Sequence, residues 1–221
     1  ADADLQPNEA EIFSLDVNGG GPVALTDRRG PDTNPIVSPD GRYIAWLGFD
    51  DRYQGYQVTQ LYLRDLRSGG TRSISADLDR DIDNAQFAAD SRSLWFQYDD
   101  RGHTRIVRQA LDGRRQELVD DLGGTDVTRP YSGGSFTVAR NGRFAYTRRS
   151  ARAPAELATG VTARGIAQLT ELNANGTGAR DLPDIERLEF ASKADGLALQ
   201  GWVLKPPNFD PAKKYPLILE I

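Results

Sequence analysis

Val37-Ser38-Pro39-Asp40-Gly41-Arg42-Tyr43-Ile44-Ala45-Trp46 is a tight turn feeding a strand. Pro39 presets φ near −65°, Asp40 has a carboxylate within reach of the backbone just ahead, and Gly41 accepts φ > 0. Tyr43 to Leu47 is a run rich in β-formers. The pattern recurs twice. Phe87-Ala88-Ala89-Asp90-Ser91 precedes Arg92-Ser93-Leu94-Trp95-Phe96, and Val138-Ala139-Arg140-Asn141-Gly142 precedes Arg143-Phe144-Ala145-Tyr146. Asp40 lies 50 residues before Asp90, which lies 51 before Asn141. A period near 50 with an all-β signature is that of β-propeller blades.

Around these turns the chain divides into units of four strands. Strands are expected at 34–37, 43–48, 60–66 and 72–75, then at 84–88, 93–98, 104–110 and 116–119. A third set is expected at 135–139, 143–148, 155–159 and 167–170. Residues 11–17 and 23–26 read as the outer half of a further blade, so about three and a half blades are expected. Propellers close with about four to eight, and an incomplete ring exposes strand edges. The expectation is therefore a segment of a larger protein. Trp46, Trp95 and Tyr146, close together in the repeat frame, are expected in the core between blades.

Composition supports this outline and marks a boundary. Of 221 residues, 38% are hydrophobic and 27% charged, which suits thin sheets packed face to face. The net charge of −5 argues against a general nucleic-acid binder. No apolar run approaches the roughly 18 residues of a membrane span, and Ala1-Asp2-Ala3-Asp4 is neither a signal nor a transit peptide. The absence of Cys excludes disulfides and thiolate metal sites. All four Lys follow residue 190, whereas the 23 Arg lie between 28 and 187. Residues 1–170 are thus expected to form partial propeller blades, 171–187 a Gly/Asn/Pro-rich linker, and 188–221 a separate unit. That unit should start with a hairpin turning at Asp195-Gly196 and run into a buried strand at 215–221.

The tail carries a family likeness. Ser192-Lys193-Ala194-Asp195-Gly196, Leu199-Gln200-Gly201-Trp202, Pro206-Pro207, Phe209-Asp210-Pro211 and 213–221 resemble the start of the hydrolase domain of prolyl oligopeptidase-family serine peptidases. The acylaminoacyl-peptidase and dipeptidyl-peptidase-like branch is the most similar, and Pro154-Ala155-Glu156-Leu157 with 168–173 resembles its last blade and domain link. The resemblance implies an all-β, WD40-like or TolB-like partial propeller followed by the first strands of an α/β-hydrolase domain. It also implies a parent enzyme that hydrolyses short peptides, with the propeller restricting access. The implied partners are peptide substrates and the chain's own hydrolase domain, with no nucleic acid, membrane or cofactor. The implied protein is soluble, of bacterial type, cytoplasmic or periplasmic; compartment and oligomeric state stay open. In that family a His-Gly-Gly loop follows a strand like 215–221, and the catalytic Ser, Asp and His come later. No catalytic residue is therefore assigned to any position here, and the chain by itself is expected to be inactive. A non-enzymatic propeller that binds a protein or peptide is the alternative.

Other chemistry weighed against this background is weak. The single His, His103, falls in a hairpin turn and is expected to be solvated rather than a triad base. Gly133-Gly134-Ser135-Phe136-Thr137 lacks the last Gly of a nucleophile elbow and precedes no helix. Asp77-Leu78-Asp79-Arg80-Asp81-Ile82-Asp83 alternates carboxylates as a calcium loop does, but Ile82 and Ala88 stand where Gly and Glu are needed. Asp50-Asp51 and Asp99-Asp100 recur by repeat position, which points to turn chemistry. Arg148, Arg149 and Arg152, with Arg28-Arg29, suit a substrate carboxylate but are expected to be solvated. Asn175-Gly176-Thr177 matches a glycosylation sequon inside the linker.

Overall fold

The computed structural model describes residues 6, 8–124, 133–150, 152–174 and 182–220. The elements described below are all β-strands. Strands β1 (Phe13–Ser14) and β2 (Val23–Ala24) pair as a short outer hairpin. Strands β3 (Asp32–Val37), β4 (Tyr43–Gly48), β5 (Gln60–Asp65) and β6 (Thr71–Ser73) form a four-stranded antiparallel blade. The next blade comprises β7 (Ile82–Phe87), β8 (Ser93–Asp100), β9 (His103–Ala110) and β10 (Arg115–Leu122). The last comprises β11 (Phe136–Val138), β12 (Phe144–Ser150), β13 (Ala153–Gly160) and β14 (Ala167–Gln168). One bridge, Leu122 to Arg148, ties β10 to β12. A separate hairpin follows, β15 (Asp184–Ala191) with β16 (Ala198–Lys205). The partial propeller of about three and a half blades is as the repeats predict.

The recurring turn builds each blade in the same way. Gly41, Ser91 and Gly142 donate backbone N–H bonds of 2.8, 3.0 and 2.9 Å to the carbonyls of Ser38, Ala88 and Ala139. Asp40, Asp90 and Asn141 each accept the N–H two residues on, at 3.1, 2.9 and 3.0 Å. Gly41 and Gly142 sit at φ 68° and 79°, and Ser91 holds the same conformation at φ 54°. The turns also join blades, because Ser91 Oγ accepts the Asp40 N–H at 3.0 Å.

Strand alternation puts alternate residues on opposite faces of each sheet, and both faces are used. Ile44, Trp46 and Tyr62 pack with Ile12 toward the first hairpin. Ala45, Leu47, Leu61 and Leu63 meet Leu94, Phe96 and Val107 of the next blade. Trp95 and Ile106 meet Phe144, Tyr146 and Ala158 of the last. Trp46, Trp95 and Tyr146 are all core residues, as expected, but they do not share a face. Register opposes Leu47 to Leu61, Gln97 to Ile106 and Thr147 to Leu157. In that frame the counterpart of Trp46 and Tyr146 is Phe96, and Trp95 lies one position earlier on the opposite face.

Two further expectations are corrected. The linker expected over 171–187 gives way to β15 at Asp184; 175–181, with the Asn175-Gly176-Thr177 sequon, lie outside the described residues. The strand expected at 215–221 is absent over 215–220, where Leu217, Ile218 and Leu219 are exposed. An apolar run becomes a buried strand only beside a sheet that takes its backbone bonds, and among the described residues none lies there. The hairpin turn at Asp195-Gly196 forms as expected, with Gly196 at φ 76° and its N–H on the Ser192 carbonyl at 2.9 Å.

Candidate functional site at the inner strands

The inner strands β3 and β7 each carry an irregularity at the same repeat position. Pairing with the second strand jumps from Thr33 to Ile36 in β3 and from Asp83 to Gln86 in β7. Asn34 and Asn84 occupy these bulges at φ 52° and 51°, a left-handed conformation that Asn tolerates better than most residues. The bulges open a cavity of about 500 Å³. Asn34, Asp83, Asn84, Gln97, Gly134 and Ser135 supply its polar lining.

The amides there form a network. Asn84 Nδ2 reaches Gln97 Oε1 and the Phe136 carbonyl, each at 3.4 Å. Gln86 Nε2 donates to Asn84 Oδ1 and to the Phe136 carbonyl, both at 3.1 Å. Gln97, buried in β8, donates to the Gly134 carbonyl at 3.4 Å. Asp83 is the single charged group on this wall, and its carboxylate accepts the Asn84 N–H at 2.7 Å. Nothing in the sequence reading singled out these amides. The available signal was an Asn six positions before the turn carboxylate in both repeats, Asn34 before Asp40 and Asn84 before Asp90.

A second cleft, of about 570 Å³, gathers Arg148, Arg149 and Arg152 with Asp121, Glu156 and Leu182. Arg28 and Arg29 are not part of it. Arg28 bonds Asp32, Asp50 at 2.6 Å and the Tyr62 hydroxyl at 3.1 Å, and Arg29 stacks over Tyr53. Within the cleft, Arg148 Nε bonds Asp121 at 2.6 Å, and Arg152 pairs with Asp184 of the following hairpin. Tyr146 donates its hydroxyl to Asp121 at 2.9 Å; burial first, then this bond, raises its pKa. The Thr170 hydroxyl above all, then the Leu172 and Asn173 N–H groups and the Asn173 carboxamide, hold the Glu156 carboxyl down at about 2. Arg148 and Arg152 are each paired with a carboxylate and Glu156 is held by Thr170 and Asn173, so these side chains knit the last blade to its surroundings.

The remaining candidates disperse. His103 is exposed, its Nδ1 3.1 Å from the Asp120 carbonyl oxygen. Ser135 precedes β11 and donates its N–H to Thr147 Oγ1 at 3.0 Å. Asp51 accepts bonds from Gln57, Tyr53 and Asn8, while Asp50 serves Arg28. Asp99 takes the Thr104 hydroxyl, and Asp100 binds Arg80 at 2.9 Å. In the acidic loop Asp77 pairs with Arg115 at 3.0 Å, and Asp81 accepts from the Tyr56 hydroxyl and the Thr59 N–H. Among the described residues no group of three His, Asp or Glu side chains converges to hold a metal, and no helix is long and apolar enough to cross a membrane.

The fold and the inner-strand mouth define the chain as a stretch of β-propeller. Acylaminoacyl peptidase of Pyrococcus horikoshii superposes on 89% of it with a TM-score of 0.65 at 21% identity, using 28% of that structure. A putative TolB of Agrobacterium tumefaciens superposes on 72% with a TM-score of 0.54 at 20% identity, using 55% of that structure. In sequence, dipeptidyl-peptidase 5 of Porphyromonas gingivalis is 29% identical over 191 residues, covering 86% of this chain and 27% of that protein. No protein-family model matches. The resemblance read from the tail is thus borne out: in sequence the chain is similar to dipeptidyl-peptidase 5 proteins, and in fold to acylaminoacyl peptidase. It spans less than a third of the length of the peptidases it matches.

Proposed function

We propose that this chain is the substrate-gating propeller part of a serine peptidase that hydrolyses short peptides in the manner of a dipeptidyl- or acylaminoacyl-peptidase. Residues 1–170 are its blades and 171–187 its link, the end of which is built into β15. Residues 188–221 open the α/β-hydrolase domain. The observation that carries this is the match to dipeptidyl-peptidase 5 over 86% of the chain. The chemistry is Ser attack with His as general base and backbone donors on the oxyanion, all from residues beyond this sequence. The propeller's part is steric: folded proteins are kept out and short unstructured peptides pass.

Labelling of the longer gene product with a fluorophosphonate tests the peptidase reading, and dipeptidyl-naphthylamide hydrolysis follows its activity. Labelling and turnover are expected. A product that neither labels nor hydrolyses is a binding propeller instead. The 221-residue chain by itself is expected to hydrolyse nothing, and turnover by it would overturn the assignment of catalysis to other residues.

A further inference from the structure

We propose that the mouth formed by β3, β7 and the residues leading into β11 binds an extended peptide through its main chain. The choice of ligand class rests on the peptide-handling reading above; the site itself rests on geometry. A carboxamide offers one donor group and one acceptor group, the complement of a peptide unit. The walls present Asn34, Asn84 and Gln97 together with the backbone of Gly134 and Ser135 around about 500 Å³, within the range of small-ligand sites.

Two features argue that this wall is built to receive a ligand. First, the bulges put Asn rather than Gly at left-handed positions in both repeats, Asn34 at φ 52° and Asn84 at φ 51°. Gly would satisfy the backbone there at less cost, so the side chain has its own use. Second, the network is asymmetric. Asn84 is engaged by Gln86 and Gln97, whereas Asn34 is exposed to the cavity and its carboxamide has no hydrogen bond among the described residues. One amide is held as a template and the other is free to bind.

The same wall excludes other ligands. No Lys or Arg lines it, which disfavours phosphates and nucleic acid. Phe136 is buried in the core with Trp95 and Phe144, so its ring face is not offered for stacking a base or sugar. A neutral strip with one carboxylate, Asp83, suits main-chain amides and tolerates varied side chains. That is the specificity needed to admit many short peptides and position none by sequence.

The test uses the purified 221-residue chain and a fluorescein-labelled, end-capped peptide of alternating Ala and Ser, followed by anisotropy. Saturable binding is expected. Replacing the central peptide groups by esters removes N–H donors and is expected to weaken binding about tenfold, the worth of a lost hydrogen bond or slightly more. Asn34→Gly keeps the backbone conformation and is expected to weaken binding about fivefold with no fall in melting temperature. Arg72→Ala, outside the mouth, should leave binding intact. No saturable binding, equal binding of peptide and ester, or unaltered binding by Asn34→Gly would each overturn the proposal. An oligonucleotide that competes for the mouth would overturn it in favour of a nucleic-acid site. The outcome is separable from the peptidase reading. Fluorophosphonate labelling without peptide binding here removes only this subsite, and binding here without labelling removes only the peptidase.

Discussion

Ser91 shows how a repeated turn is tuned at the scale of one residue. Its siblings Gly41 and Gly142 accept φ > 0 freely, but Ser91 takes φ 54° while 5% exposed, with its hydroxyl on the Asp40 N–H of the preceding blade. The left-handed conformation costs about 1 kcal/mol for a residue with a Cβ, and a bond to a half-buried N–H recovers about as much. Ser91→Ala keeps the strain and loses the bond, so a loss of about 1–2 kcal/mol is expected in urea denaturation. Ser91→Gly loses the bond but relieves the strain and is expected to fall between wild type and Ala. Equal loss in both variants would show that the backbone there is unstrained. Glu156 sets an acid limit in the same way. Its carboxyl is lowered from 4.5 to about 2, chiefly by the Thr170 hydroxyl. A depressed carboxylate pKa stabilises the fold above the unfolded value and loses that contribution as pH falls from 4.5 toward 2. Melting temperatures measured across that window are expected to fall less steeply for Glu156→Gln than for wild type.

At the scale of elements, most strands were legible from their turns and runs of β-formers, even exposed ones such as β1, β2 and β14, but the start of β15 was not. The strands after the turns, β4, β8 and β12, announce themselves because Asp40-Gly41, Asp90-Ser91 and Asn141-Gly142 each precede a dense run of β-formers with at least one buried face. The start of β15 hides in Asp184-Ile185-Glu186-Arg187, whose side chains are all exposed and so carry no alternation to read. Asn34 and Asn84 were equally silent, because an Asn at a bulge looks like any turn residue until the register is known. One recurrence also emerged only in three dimensions. Thr26, Ser75 and Thr170 hydroxyls accept the N–H of Ile12, Leu61 and Leu157, each at 2.9 Å, stitching the outer strands of three units. The hairpin β15–β16 is held differently. The Trp202 ring lies over the β8–β9 turn at Gly102, where an added Cβ would come within 2.5 Å of it, and Gly102 has φ 79°. With its partner Arg101 at φ 52°, this is the mirror-image turn favoured in two-residue hairpins. Burying about half of a Trp contributes about 2 kcal/mol. Hydrogen exchange of the 184–205 amides is therefore expected to quicken about thirtyfold in Trp202→Ala, with β8 and β9 unchanged. Equal exchange in both proteins would show that the ring does not anchor the hairpin.

Across the whole molecule the blades bury one another, and the last has no such neighbour among the described residues. Leu61 and Ile106 occupy one repeat position, and each is 0% exposed because the following blade covers it. Leu157 holds the same position in the last blade and is 47% exposed, with Leu169 beside it on β14's continuation at 59%. Phe13, Leu15 and Val23 are similarly bare on the first hairpin. The repeat made this legible in outline, since a count of three and a half blades implies uncovered faces; which side chains they present depends on the face alternation that only the register supplied. A sheet face patterned for a neighbour is an association surface whenever that neighbour is missing. The 221-residue chain is therefore expected to self-associate in a concentration-dependent manner by light scattering. Leu157→Lys with Leu169→Lys places charges on the face without touching the three buried clusters, and is expected to shift the population toward monomer at unchanged β-sheet circular dichroism. Association that persists at the same concentration in the double variant would place its source elsewhere, with the exposed Leu217, Ile218 and Leu219 as the next surface to alter.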